Sequence, residues 1–327
     1  MRYIGNKTKL LGFIGSVLDR IGVTGGRAAD PFAGTASVAQ YLKSRGFATD
    51  SADIMNYSYA FQRAYVQLDS VPSFARVLGE DRNLAAVTRR TDFQAAVASR
   101  FRRQEDLFAG HSDAEADPLR HVLTYLDTYL PPFTSFVSRE YAADLTAPPE
   151  SARMFFTGES GRRIDAIRIQ LHQWKVEELV SDDEFYLLLA CLLEAADSVA
   201  NTTGVYAAFV KSWQANALKP LRLTEPQLVM NTGRHSRAHL QDANEFIRKL
   251  GPVDVAYLDP PYNTRQYSSY YHVPELIAQG WFDQEPELRG KTGLIPDADK
   301  KSAWSVAGEC VSVFRDRYRV WTHDTCC

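Results

Sequence analysis

Val253-Asp254-Val255-Ala256-Tyr257-Leu258-Asp259-Pro260-Pro261-Tyr262 is the stretch that decides how this chain is read. An apolar, β-branched run of strand length stops at an acid, two prolines and an aromatic ring. Proline has no amide hydrogen to give a sheet ladder, and two in succession end the strand abruptly. Asp259 is thereby expected at the carboxyl end of a strand, the edge where open α/β sheets place their ligands. Pro260 and Pro261 fix the backbone, so a carboxylate, a free carbonyl and the Tyr262 ring share one geometry. That set suits a flat substrate with an exocyclic amino group. A plain strand-ending turn with an exposed acid is the competing reading.

Near the other end of the chain lies a second strand–turn–helix pattern. Arg27 to Asp30 read as a strand, Pro31-Phe32-Ala33-Gly34-Thr35-Ala36 as a turn, and Val38, Ala39 and Leu42 as the apolar side of a helix closed by Gly46. Gly34 permits close approach of a ligand to the backbone. The next strand, Phe47 to Ala52, ends near Asp53. An acid at the end of the second strand, about twenty residues after such a turn, commonly binds ribose hydroxyls. Asp50 competes for that role but lies inside the strand. Before all this, Leu10, Leu11, Ile14, Val17, Leu18 and Ile21 recur at helical spacing behind Tyr3-Ile4-Gly5-Asn6-Lys7. A helix amino end with a lysine suits an anion; solvated surface is the alternative for Lys7 and Lys9.

From about residue 70 the alternating pattern breaks. The following stretch reads as mainly helical: Leu119 to Leu130, stopped by Pro131-Pro132; a helix carrying Arg162, Arg163, Arg168, His172 and Lys175; and Phe185 to Val199, opened by the capping box Ser181 to Glu184. Arg162 and Arg163 could face phosphates, although acids outnumber bases over this region and a solvated face fits equally well. Asn201 to Tyr206 form a polar turn to which composition assigns no chemistry. The α/β pattern is expected to resume with a strand at Gln227 to Met230 and a helix from Asp242 to Leu250. After Tyr262 comes an aromatic polar loop with Arg265, Tyr267, Tyr270 and Tyr271, a set able to stack on bases and bind phosphates. Tyrosines packed on their own core would look the same from sequence.

Taken together, these stretches resemble the alpha-group, Dam-like DNA adenine-N6 methyltransferases. Tyr3, Gly5 and Lys7 match an N-terminal aromatic–glycine–lysine motif, and Asp30 to Gly34 match the cofactor turn. A recognition insertion follows, then the DPPY motif at Asp259 to Tyr262. The resemblance implies an α/β fold: a Rossmann-like methyltransferase sheet interrupted by a largely helical insertion. The domain boundaries are residues 1–69, the cofactor half; 70–226, a candidate target-recognition insertion; 227–304, the sheet resumed; and 305–327, an atypical tail. It implies S-adenosyl-L-methionine as cofactor, flanked by Tyr3 and Lys7, with Asp30, Phe32 and Gly34 shaping the pocket. Asp53 would then bind the ribose, Asp242 would face the adenine, and Asp259 would border the cofactor. Ala36 stands where the family has a second glycine, a change expected only to tighten the turn. Asp259 and the Pro260 carbonyl would accept the two N6 hydrogens of a flipped adenine, Pro261 would hold them rigid, and Tyr262 would stack on the base. Double-stranded DNA is the expected partner, with a cognate restriction endonuclease in the same system.

Other readings are an RNA base-amino methyltransferase, a cytosine-N4 enzyme, and an inactive DNA-binding remnant. The last arises because the DPPY strand should lie fourth of seven, and three more strands need about 60 to 100 residues. Residues after Trp304 are too few and lose the family pattern, so the C-terminal strands are expected to be truncated and activity impaired. The totals place limits around this. A chain of 327 residues with net charge −3 has no global basic signature, so nucleic acid would be met by local patches. Cys191, Cys310, Cys326 and Cys327 form neither metal-binding spacing nor a disulfide ladder. With no membrane span and no signal peptide legible, the expectation is a cytoplasmic protein binding neither membrane nor metal.

Overall fold

The computed structural model describes residues 1–2, 6–105, 117–146, 148–230, 232–261, 266–300, 302 and 304. The readings of Tyr3, Tyr262, Arg265 and the tail 305–327 lie outside these residues. In chain order, α1 (Leu11–Arg20), β1 (Gly26–Asp30), α2 (Ser37–Ser44), β2 (Phe47–Asp53) and α3 (Asn56–Gln62) come first. Then follow α4 (Ala75–Glu80), α5 (Arg82–Thr88), α6 (Thr91–Glu105), α7 (Pro118–Thr124), α8 (Phe136–Glu140), β3 (Ala142–Ala143), β4 (Phe156–Thr157), α9 (Gly158–Val176) and α10 (Asp182–Ser198). The chain returns with β5 (Arg237–Leu240), α11 (Ala243–Lys249), β6 (Val255–Ala256), α12 (Tyr267–Tyr270) and α13 (His272–Gln279). Two compact units result: residues 1–69, 202–209 and 228–327, and residues 70–201 with 210–227.

The first unit is built on a parallel sheet of order β5-β2-β1-β6. Its faces are separated by strand alternation. Ala28 points into a cluster with Leu18, Val38, Leu42 and Phe47 from α1, α2 and β2, and Val255 and Tyr257 pack against it. Ala29 and Ala52 point the other way, onto Phe246 and Ile247 of α11. Helices cover both faces, as the crossovers of a parallel sheet require. β1 is poor in β-branched residues and is held by its neighbours instead, with β2 in register from Gly26 opposite Phe47 to Asp30 opposite Ser51. At its start Gly26 has φ 108°, and an added Cβ would lie 2.1 Å from Asp254 Oδ2, the oxygen that accepts the Arg27 amide at 2.7 Å. The chain passes here only without a side chain.

Two strand expectations need correction. Gln227 to Met230 form no strand; the strand is Arg237–Leu240, paired to Asp50–Asp53 of β2. Its exposed and half-buried residues hide it from a hydrophobicity reading. The ladder of β6 is also shorter than its apolar run. The Asp254 amide bonds Arg27 O and the Tyr257 amide bonds Ala29 O, both at 2.9 Å, so pairing stops just before Leu258. Among the described residues β6 has β1 as its neighbour and is an edge.

The second unit is mainly helical, as read. Ser181 and Glu184 form the capping box of α10, and Glu184 also accepts the Phe74 amide at 2.6 Å. The buried Trp174 donates its indole N–H to Asp81 at 2.8 Å. Where a helix through Leu130 was expected, α7 passes at Tyr125 into a π-helical turn ending at Tyr129. No helix among the described residues is long and apolar enough to cross a membrane.

Candidate functional site

The carboxyl ends of β1, β2 and β6 converge, and each delivers an acid. Asp30 ends β1 and is buried, with its Oδ1 accepting the Phe32 amide at 3.2 Å. Burial pushes its carboxyl up to about 7, and the charges of Asp53 and Asp259 act in the same direction. Asp53 ends β2; its two oxygens accept the amides of Gly34 at 2.9 Å and Met55 at 3.0 Å. Burial raises this carboxyl too, against the opposing pull of those hydrogen bonds. Asp259, two residues past the β6 ladder, takes the Lys7 ammonium on Oδ2 at 2.8 Å. Lys7 was read as serving an anion at a helix end; the anion it meets is this carboxylate. Tyr257 has its hydroxyl pKa raised by burial, then by Asp259 and Asp30.

Two cavities open on this edge. One, with about 660 Å³ of empty space, is lined by Phe32, Asp53, Asp242, Asp259, Pro261 and Tyr267, among others. The other, about 300 Å³, is lined by Lys7, Asp30, Gly34, Thr35, Tyr257 and Asp259. They share Phe32 and Asp259. Asp242 caps α11, accepting the Asn244 amide at 2.9 Å. Asp50 is excluded from the site: it is held by Arg27 at 2.9 Å and faces His239 at 3.7 Å.

The turn after β1 carries strain that the sequence reading did not foresee. Gly34 has φ 53° and Ala36 φ 60°. Glycine takes the left-handed region freely, whereas alanine pays about 1 kcal/mol or more in backbone strain there. Ala36 therefore does more than tighten the turn.

The aromatic loop splits. Tyr271 is fully buried, 5.7 Å from the Tyr57 ring and 6.1 Å from Tyr267. Tyr270 is also buried. Both pack in the core, and Tyr267 alone of the three lines the cavity. Arg163 lines an open cleft of the second unit beside Arg162, and its guanidinium donates to the carbonyls of Leu130 and Leu126. Arg162 borders the same cleft with Lys219 and Arg222. Sequence reading missed Gln266, Lys300 and Ser302, which line the larger cavity, and Trp304, whose ring meets Phe32 edge-on at 5.3 Å. None of these falls in a recognisable motif.

The chain matches the family of D12 class N6 adenine-specific DNA methyltransferases over residues 3–320. It belongs to that family. The match runs past Trp304, where the tail was read as losing the family pattern. Among curated relatives, Modification methylase StsI of Streptococcus sanguinis is 30% identical over 97% of this chain and 41% of its own length. Type II methyltransferase M.FokI of Planomicrobium okeanokoites is 30% identical over 96% and 42%. Type II methyltransferase M.NlaIII of Neisseria lactamica is 33% identical over 90% and 73%. The chain thus spans about two fifths of the first two relatives and about three quarters of the third. No solved structure matches it significantly. Membership of a methyltransferase family implies a methyl donor. In charge, the sheet edge fits a cationic one: the side chains of Asp30, Asp53 and Asp259 meet there with Lys7 as the counter-charge to Asp259.

Proposed function

We propose that this D12 family member transfers a methyl group from S-adenosyl-L-methionine to N6 of an adenine flipped out of double-stranded DNA. The observation that carries this reading is the meeting of Asp259, Asp30 and Asp53 on one sheet edge, beside two cavities that join at Phe32 and Asp259. Asp53 and Asp242 suit the ribose and adenine of the cofactor, and Asp30 and Gly34 its methionine end. When bound, S-adenosyl-L-methionine supplies an electrophilic methyl on a positively charged sulfur.

Adenine N6 is a poor nucleophile because its lone pair is drawn into the ring. The Asp259 carboxylate and the Pro260 carbonyl accept its two hydrogens and favour the tetrahedral nitrogen whose lone pair can attack. Asp259 would take the N6 proton released on methylation and pass it to water. No covalent enzyme intermediate is needed; orientation and electrostatics carry the step. Lys7 holds the Asp259 carboxylate in place for this, and Tyr3 and Tyr262 would flank cofactor and base. Residues 70–226 would supply target recognition, with Arg162 at an open cleft lined also by Lys219 and Arg222. That the relatives are modification methylases and Type II methyltransferases supports a partner restriction endonuclease and a cytoplasmic setting.

The test incubates the protein with methyl-labelled S-adenosyl-L-methionine and mixed-sequence DNA or RNA. Label at adenine N6 of DNA, lost in Asp259→Ala, is the expected result. Label in RNA alone, or label that survives Asp259→Ala, overturns the reading.

A further inference from the structure

Asp53 can bind a ribose only if the short turn carrying it is fixed. The turn is Ile54 and Met55, between β2 and the first residues of α3, Asn56 and Tyr57, and two side chains from far along the chain grip this stretch. The Lys300 ammonium donates to the Ile54 carbonyl at 3.0 Å. Glu275, on α13 and buried, accepts the Asn56 side chain at 2.6 Å and the Asn56 and Tyr57 amides at 3.1 Å each. Together they engage three of the four residues from Ile54 to Tyr57, leaving out Met55.

Lys300 is itself held in place. Its segment is pinned on one side by the Ser268 hydroxyl, which donates to Asp297 at 2.7 Å. On the other side the Gln266 and Ser302 groups exchange two hydrogen bonds, at 2.9 and 3.3 Å, and Trp304 rests against Phe32. The Lys300 side chain is only 12% exposed and lines the larger cavity beside Asp53 and Asp242. A long, strongly hydrated cation loses rotamer freedom and water when confined in this way. Its ammonium lies 3.8 Å from the exposed Asp299 carboxylate and donates to one backbone carbonyl of the cofactor turn; an ion pair with Asp299 alone would not need that confinement, so the placement calls for a role.

We propose that Lys300 and Glu275 are positioning residues for the cofactor: they fix the turn after β2 so that the Asp53 carboxylate is presented to the ribose. The inference rests on the reading of the larger cavity as the cofactor's adenosine site. It also ties that site to the catalytic half of the chain, because both residues follow the Asp259 motif and are anchored through α12 and α13.

The test measures binding of S-adenosylhomocysteine, the unreactive product, by calorimetry, with thermal melting as a check on folding. Lys300→Met is expected to weaken binding about tenfold and Lys300→Arg to recover most of it. In an Asp53→Ala background, Lys300→Met is expected to change affinity less than about twofold, because residues acting through one group lose energy non-additively. Glu275→Gln, which keeps the side-chain volume, goes through the same cycle and decides the matter if Lys300→Met fails to fold. An undiminished loss in the Asp53→Ala background, or wild-type affinity in both variants, overturns the proposal and leaves the cofactor reading standing. Failure of the unmodified protein to bind S-adenosylhomocysteine overturns both.

Discussion

Asp30→Asn isolates the electrostatic frustration of the sheet edge. The Asp30 carboxyl moves from 3.8 to about 7 on folding because burial, Asp53 and Asp259 all disfavour its charge. Between those two values the folded protein binds more protons than the unfolded chain, so this group makes stability fall as pH rises across the window. A shift of about three units at about 1.4 kcal/mol each gives a total near 4 kcal/mol, fully expressed above about pH 7 and absent below about pH 4. Asparagine has nearly the same shape, can still accept the Phe32 amide through its oxygen, and carries no charge at any pH. Without cofactor, urea unfolding should therefore give the variant and the wild type equal stability at the acid end. The variant should gain with rising pH and level off at up to about 4 kcal/mol above wild type. Cofactor binding should show the converse. A sulfonium or ammonium beside Asp30 favours the ionised form, so wild-type affinity for S-adenosyl-L-methionine should rise by up to about tenfold per pH unit until about pH 7 and then flatten. The variant should bind more weakly and show no such slope. Parallel stability curves for the two proteins across this range would refute the reasoning.

Three further outcomes follow from particular side chains. Ala36→Gly removes a left-handed alanine at φ 60°, and thermal melting should show up to about 1 kcal/mol of stabilisation, the strain relieved outweighing the added backbone entropy; a lower melting point would mean that the lost methyl matters more. Tyr271→Ala should destabilise the first unit by about 3 kcal/mol or more, the range for emptying a large buried side chain. An unchanged melting point with weakened DNA binding would restore it as a contact residue. Arg163→Met leaves the Leu126 and Leu130 carbonyls without their donor and should cost about 1 to 3 kcal/mol in urea unfolding, where a mere phosphate contact would leave stability untouched.

What the sequence made legible, and what it hid, divides along the range of the forces involved. Asp259 could be placed because proline ends a strand wherever it occurs, and Asp53 because a strand end is a local event with a recognisable spacing from the glycine turn. The capping box at Ser181 is local in the same sense. β5 was missed because Arg237 to Leu240 owe their strand to the ladder offered by β2 and not to their own composition; Gln227 to Met230 are more apolar and yet form no strand. Tyr270 and Tyr271 could not be assigned from sequence for a related reason. A tyrosine is equally suited to a core and to a base-stacking surface, and only Tyr57, distant in sequence, decides which. Lys300 and Glu275 mark the limit of this. A residue that touches substrate must carry a chemistry, and that chemistry restricts its type and spacing enough to make a motif. A residue that holds another in place needs only a partner at the right distance, and its partner here is a backbone carbonyl or amide, which every residue has. Nothing in Ile54, Asn56 or Tyr57 announces that they are gripped. Positioning groups should therefore be sought by asking which turns carry a functional acid and what restrains them. Here that question leads from Asp53 to two side chains more than two hundred residues away.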